Sequence, residues 1–250
     1  MILGIDATNW IHSLWHAQSG KGVLDSACRR MNGLVDRLHP RHVVACFDRR
    51  SFRHDIFPAY KSKRKEKPER LCADLAEGPA AVADLATVFA EDGFEADDCL
   101  ASLARAGQLI GEKVVVASPD KDLRQCLVAG EVTILRSFVL RGDGVIDLDW
   151  FTADRLHKEY ALSPAQWPDF QALCGDSTDG IPGCVGWGEK TSLAALHKAG
   201  SLAEILRNPW ALSITQKQQG NLMAFKPHAD KMLRLVTLCT EVPGVWDVLR

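Results

Sequence analysis

An alternation narrows the fold of this chain more than any other feature: short apolar, β-branched runs are separated by longer stretches with helical periodicity. Residues 2–5, 42–47 and 113–117 read as buried strands, with 132–135 a fourth. Helical patterns lie between them over 26–38, roughly 71–89, and 97–110. Strand and helix in turn imply an α/β fold, a mostly parallel sheet flanked by helices. Asp6 and Asp48 follow their strands directly, and Asp120 and Asp122 come three and five residues after Ala117. All should gather at the carboxyl edge of the sheet, where open α/β sheets place ligands. From about Thr152 the strand signals cease, and short helical segments are broken at Pro164, at 175–188 and at Asn208-Pro209. The expected division is therefore an α/β core over 1–150, including a basic stretch at about 49–70, and a helical region over 151–250.

The 250 residues suffice for one α/β core with a helical appendage, since single domains commonly reach about 200 residues. Eight cysteines lie far apart with no C-x-x-C pair, which excludes a zinc ribbon and a dithiol redox motif and predicts reduced thiols. With no leader-like apolar run at the start and no stretch of membrane-spanning length, the expected compartment is the cytoplasm. Net charge is −2, yet between Arg49 and Arg70 nine Lys and Arg stand against three acids. A basic strip on an otherwise acidic chain suggests a phosphate track beside a metal site.

Nine carboxylates form the informative set: Asp6, Asp48, Glu95, Asp97, Asp98, Asp120, Asp122, Asp176 and Asp179. Taken singly, Asp6 and Asp48 could cap helices, and Asp97 and Asp98 could favour a helix N-terminus. Caps need not recur after successive strands or come in pairs, however, and carboxylates brought together repel unless divalent cations share them. Two such ions about 4 Å apart would bridge a scissile phosphate, so no His, Cys or Ser nucleophile is needed. His12 and His16 stand four apart, but Ser13 occupies the place where an H-E-x-x-H motif needs its glutamate, and no third zinc ligand is evident.

Two further segments bear on nucleic acid. The stretch from Arg53 through Tyr60-Lys61-Ser-Lys63-Arg64-Lys65 is too charged for a core helix; its cations suit phosphates, and an exposed Tyr60 could stack on an unpaired base. Its bland alternative is a solvated loop. The run Gly183-Cys-Val-Gly186-Trp-Gly188-Glu-Lys190-Thr191 is not a nucleotide-hydrolase phosphate loop, because Glu189 separates Gly188 from Lys190 and no apolar strand precedes Gly183. Glycines entering a helix at Glu189 would offer N–H groups to a DNA phosphate, or else form a plain turn between helices.

The motifs Ser51-Phe-Arg-His…Tyr60-Lys61, Glu95-Ala-Asp-Asp98, Pro119-Asp-Lys-Asp-Leu123 and Cys174-Gly-Asp-Ser-Thr-Asp179…Gly186-Trp-Gly-Glu-Lys-Thr191 closely resemble the 5′→3′ exonuclease and flap endonuclease family. That family includes the N-terminal nuclease domain of bacterial DNA polymerase I and its free-standing relatives, and the similarity runs in order from Ile2 to about Leu206. The resemblance implies a PIN-like nuclease core followed by a helix–hairpin–helix at about 175–199. It further implies two Mg²⁺ ions, with Mn²⁺ able to substitute. Asp6, Asp48, Glu95 and Asp97, with Asp98 a further candidate, would hold the first ion; Asp97, Asp120, Asp122, Asp176 and Asp179 would serve the second. Arg53, Lys61 and Arg64 match positions that grip the reacting phosphate, Tyr60 one that contacts the terminal nucleotide, and Lys63 lies among them. Catalysis would fall to Lys61, Arg64 and Asp120. Gly183, Gly186, Gly188 and Lys190 would hold duplex DNA, with a K⁺ ion at the hairpin. The implied activity is hydrolysis near the 5′ end of DNA with a flap, nick, gap or free end, by a monomer, and no polymerase segment is expected after Arg250. Rival readings are a metal-dependent ribonuclease on a similar core and a structure-specific DNA-binding protein without catalysis. The chain departs from the family pattern at Trp187, Val185 and Ser13.

Overall fold

The computed structural model describes residues 1–140 and 146–250. In chain order the elements begin with β1 (Ile2–Asp6), α1 (Ala7–Gln18), α2 (Val23–Leu38), β2 (His42–Cys46), α3 (Arg53–Ile56) and α4 (Glu69–Val82). Next come β3 (Thr87–Phe89), α5 (Ala96–Leu109), β4 (Val114–Ala117), β5 (Val132–Leu140) and β6 (Ile146–Phe151). Then follow α6 (Ala153–Tyr160), α7 (Trp167–Cys174), the two-residue strands β7 (Gly175–Asp176) and β8 (Ile181–Pro182), α8 (Glu189–Ala199), α9 (Leu202–Arg207), α10 (Gln216–Phe225) and α11 (Ala229–Val236). Two compact units result. One comprises Met1–Ser51, Glu66–Thr152 and Cys239–Arg250; the other comprises Phe52–Lys65 and Ala153–Leu238. Relative to the expected division at about 150, the basic segment groups with the helical unit and the last dozen residues with the α/β unit.

In the first unit a six-stranded sheet runs β3-β2-β1-β4-β5-β6. The first five strands are parallel, and β6 returns antiparallel to β5. Ile, Leu and Val fill β1 and β4, which are buried throughout as strands covered on both faces must be. Close packing of α5 on this sheet depends on two glycines: a Cβ on Gly4 would meet Leu100 and Leu103 at 2.8 and 2.9 Å, and one on Gly107 would meet Val114 at 2.2 Å. Chain order reverses at β1, whose successors lie on either side of it as β2 and β4. Such a switch opens a crevice beyond the strand ends.

Two strands of this sheet escape the sequence reading, as do the two short strands β7 and β8 of the second unit. The helix expected over 71–89 stops at Val82 and gives way to β3, a three-residue edge too short to separate from the preceding pattern by periodicity. β6 reads Ile-Asp-Leu-Asp-Trp-Phe, an alternation that suits a half-buried antiparallel edge and not the buried runs that marked the others.

The second unit is helical. Its core gathers Trp167, Leu173, Leu196, Ile205, Leu222 and Leu235, with the Trp167, Phe170 and Tyr160 rings in mutual contact. The two short strands β7 and β8 form a hairpin within it. Among the described residues no helix is long and apolar enough to cross a membrane.

Candidate active site

Five carboxylates of the first unit converge at the carboxyl ends of β1, β2 and β4. Asp6 is the last residue of β1, Asp48 follows β2 by two residues, and Asp120 follows β4 by three. Asp97 enters from the first turn of α5, whose N-terminal dipole favours a negative charge. Asp122 starts a short 3₁₀ turn. Asp97 feels repulsion from Asp120, Asp6, Asp122 and Asp48, which shows how near one another they lie.

Local bonds aim these groups. Asp6 Oδ1 caps α1 by accepting from the Asn9 N–H at 2.9 Å, while its Oδ2 accepts from the Ser118 hydroxyl at 2.8 Å. Ser118 Oγ also accepts from the Asp120 N–H at 3.1 Å, and Asp120 Oδ1 accepts from the Asp122 N–H at 2.8 Å. The Asp48 N–H donates to Thr8 Oγ1, and Asp48 Oδ1 accepts from the Ala96 N–H at 2.8 Å. Ser118 and Thr8 thus connect the acidic residues without being acidic themselves. Their only signal in the sequence is position: Ser118 directly follows a strand, and Thr8 stands two residues after a strand-end aspartate.

Burial first, then repulsion from Asp48, pushes the Asp6 carboxyl up to about 7 against the pull of its Asn9 and Ser118 bonds. Asp97 is held well above the usual carboxylate range, again by burial and then by its four acidic neighbours. Its Oδ1 is sealed from solvent and has no hydrogen-bond partner. An orphaned carboxylate oxygen facing an all-oxygen donor set fits a hard divalent cation. Among the described residues, no three His, Cys, Asp or Glu side chains already close into a cation cage.

Asp98 is engaged elsewhere. Its Oδ2 accepts from the Glu95 N–H at 3.1 Å, in a capping box at the start of α5, and its Oδ1 accepts from the Cys239 N–H at 2.9 Å. Glu95, the residue before α5, is buried.

The other expected site residues lie in the second unit. Arg53 is 2% exposed, and its guanidinium donates to the carbonyls of Leu235 and Thr237 at 2.8 and 3.1 Å. Tyr60, expected as an exposed stacking surface, is buried, because its hydroxyl turns inward to Asp179 at 3.1 Å. Lys61 and Arg64 also meet Asp179, while Lys63 is exposed. Asp176 Oδ1 accepts from the N–H groups of Thr178 and Asp179.

The three glycines of the 183–188 turn differ in purpose. A Cβ on Gly183 would fall 2.3 Å from the Cys174 backbone, so this glycine is required by packing. Gly186 has φ +73°, and Gly188 is the exposed N-cap of α8, followed by exposed Glu189 and Lys190. Trp187 is buried and donates from Nε1 to the Gln218 carbonyl at 3.1 Å, tying the turn to α10; Val185 is exposed.

A strand-end cluster of carboxylates thus lies at the topological switch of a parallel sheet, where such sheets place ligands. Residues 1–161 match the 5'-3' exonuclease N-terminal resolvase-like domain, and residues 162–248 match the 5'-3' exonuclease C-terminal SAM fold. The chain belongs to the 5′-3′ exonuclease family. It is 38% identical over 172 residues to DNA polymerase I of Mycobacterium bovis, covering 68% of this chain and 18% of that protein. Over 211 residues it is 31% identical to DNA polymerase I of Bacillus subtilis, covering 82% of this chain and 23% of that protein. The chain thus spans about a fifth of the length of these curated relatives. In fold it matches the bacteriophage T5 5'-exonuclease with bound divalent metal ions (zinc), at TM-score 0.83 and 21% identity over 99% of this chain and 92% of that one. It also matches human GEN1 in complex with Holliday junction DNA, at TM-score 0.65 and 14% identity, over 96% of this chain and 62% of that one.

Proposed function

We propose that the protein is a divalent-metal-dependent 5′→3′ exonuclease and 5′-flap endonuclease, hydrolysing phosphodiester bonds near the 5′ end of flapped, nicked or gapped DNA in replication or repair. The observation that carries this reading is the buried, unpartnered Oδ1 of Asp97 among four other carboxylates, an arrangement whose charge calls for cations. Metal ions bound to the T5 exonuclease, and DNA substrate bound to the Rad2 catalytic core, support it as properties of proteins that share the fold.

Asp6, Asp48, Glu95, Asp97, Asp120 and Asp122 would hold two Mg²⁺ ions, with Mn²⁺ an alternative. Bound there, the ions supply Lewis acidity at the scissile phosphate and favour ionisation of the attacking water. The chain's own residues supply orientation. Ser118 and the Asn9 N–H fix Asp6, the Ala96 N–H fixes Asp48, and the dipole of α5 steadies Asp97. Lys61 and Arg64 hold the reacting phosphate and offset its growing charge. Lys63 adds a phosphate contact. The N–H groups of Gly186 and at the start of α8, with Lys190, hold duplex phosphate whatever the base sequence, and the 175–199 helix–hairpin–helix takes a K⁺ ion at its turn. Asp98 and Arg53 we assign to structural bonds.

Cleavage of a 5′-labelled DNA flap with Mg²⁺, compared between the native chain and Asp120→Ala, tests this. Junction cleavage by the native chain that Asp120→Ala abolishes is the expected result. Binding without cleavage in both would make the protein a DNA-binding one, and equal cleavage by both would mean that chemistry occurs elsewhere.

A further inference from the structure

Within the second unit a cavity of about 370 Å³ opens between Phe57, the glycine turn and helices α10 and α11. Phe57, Pro182, Val185, Phe225 and Met232 supply its apolar wall, and Asn221, His228 and Lys231 bring polar groups to it. We infer that this cavity is a subsite for one unpaired nucleobase of the DNA substrate, with Lys231 and His228 meeting the phosphate beside that base. The inference rests on the proposed reading that the glycine turn and the start of α8 hold DNA, and it adds a contact to a base where that reading has contacts to phosphates alone.

Size and chemistry select the occupant. Small-molecule sites commonly span about 300–1,000 Å³, so the cavity suits a single nucleotide. Its apolar wall suits the faces of a base, which stack on aromatic side chains whatever the sequence. Charge points the same way. No carboxylate is among the lining residues, Lys231 carries a positive charge, and neither Lys231 nor His228 enters an ion pair among the described residues. Such a lining complements a flat, largely apolar group flanked by negative charge, which is what an unpaired nucleotide of a strand presents. Gly183 and Val185 belong both to this lining and to the turn proposed to meet DNA.

The cavity is held in shape from two sides. Lys231 Nζ stands 4.9 Å from the centre of the Phe57 ring, a cation–π contact that ties the segment before Tyr60 to α11. Asn221 Nδ2 donates to the Val185 carbonyl at 2.8 Å and ties α10 to the turn. Asn221 Oδ1 accepts no hydrogen bond among the described residues, so it is open to an N–H on the edge of a base. Phe225 and Met232 are buried, whereas Val185 is 72% exposed at a position where the chain departs from the family pattern. A base seated in the cavity would take that apolar side chain out of water.

The test pairs a change in the DNA with a change in the protein. Flapped and gapped duplexes carrying 5-iodouracil at one unpaired position at a time are irradiated with the native chain in EDTA, and the crosslinked residues are mapped by tandem mass spectrometry. One such position should crosslink to Phe57, Phe225 or Met232, and the same base in a fully paired duplex should not. Replacing that base by an abasic nucleotide should weaken native binding, read by fluorescein anisotropy, about 5- to 30-fold. Ala224→Trp, which fills the cavity from an exposed position in its lining, should weaken binding of the intact substrate by a similar factor, and the abasic change should then cost less than about twofold. Lys231→Ala should lower the salt dependence by about one phosphate contact. The abasic substitution leaves the native chain untouched, so a folding defect in a variant cannot mimic its effect. Crosslinks to none of the three residues from any unpaired position, or an abasic loss as large in Ala224→Trp as in the native chain, overturns the subsite while leaving the nuclease reading intact. A native chain that neither binds the flapped duplex in EDTA nor cleaves it with Mg²⁺ overturns the DNA reading, and the subsite with it.

Discussion

Asp97 sits where burial and four neighbouring carboxylates all oppose its charge, and the chain supplies its Oδ1 with no donor. A residue so placed costs stability unless a cation offsets its charge, as the proposed function requires. Asp97→Asn should therefore lower Mg²⁺-dependent flap cleavage about a thousandfold, roughly 4 kcal/mol of transition-state stabilisation. In EDTA the same variant should melt a few degrees above the native chain, because it removes a repelled charge. Differential scanning calorimetry beside the cleavage assay checks both halves, and a lower melting point in EDTA would defeat the argument. Asp6 gives the matching pH dependence. Its folded carboxyl titrates at about 7, above the ordinary value of 3.8, so between those values the folded chain binds protons that the unfolded chain has released. Stability then falls as pH rises through that window. Urea midpoints in EDTA should show this Asp6 contribution as a decline from about pH 4 to 7 that Asp6→Asn lessens, and Mg²⁺ should flatten it. Asp6, Asp48 and Asp120 were legible in the sequence because strand ends mark them, and Asp97 because it stands in an acidic run that opens a helical pattern; Ser118 and Thr8 were not, since a lone hydroxyl carries no comparable pattern.

Among the elements, α5 links the acidic cluster to the rest of the first unit. It packs on the sheet through Gly4 and Gly107, presents Asp97 from its first turn, and uses Asp98 to bond both Glu95 and the Cys239 segment. Asp98→Ala should cost about 2–4 kcal/mol, the sum of a lost cap and an N–H left without its buried charged acceptor. Urea unfolding measures that loss, while the Mg²⁺ concentration at half-maximal cleavage should move less than about threefold; a larger shift would return Asp98 to the ligand set. Most elements here could be read from the chain, because buried parallel strands are uninterrupted apolar runs. β3 could not, being three residues long, and β6 carries acids on its outward positions. Periodicity likewise described the 53–65 segment only as charged. Its order comes from Asp179, Leu235 and Thr237, more than a hundred residues away in sequence, and local patterns carry no trace of such partners.

For the molecule as a whole, the sequence division at about 150 and the packing of the chain assign the last twelve residues differently, and the difference can be measured. Cys239–Arg250 belong to the first unit. Ser102 Oγ donates to the Cys239 carbonyl and accepts from the Val242 N–H, Val242 and Val245 are buried, and residues 240–246 with α5 line a cavity of about 360 Å³. Deleting 239–250 would expose the apolar surface these valines cover and leave Asp98 Oδ1 without its Cys239 donor. At roughly 1.5–3 kcal/mol for each buried valine, with the lost hydrogen bonds added, the expected cost is on the order of 5 kcal/mol. That cost should fall on the first unit alone. Hydrogen exchange should accelerate in α5 and in β3, against which residues 247–249 pack, while α7, α8 and α11 keep their protection. Faster exchange in the helices of the second unit, with α5 unchanged, would instead favour a boundary near 150 and place the tail with the helical region.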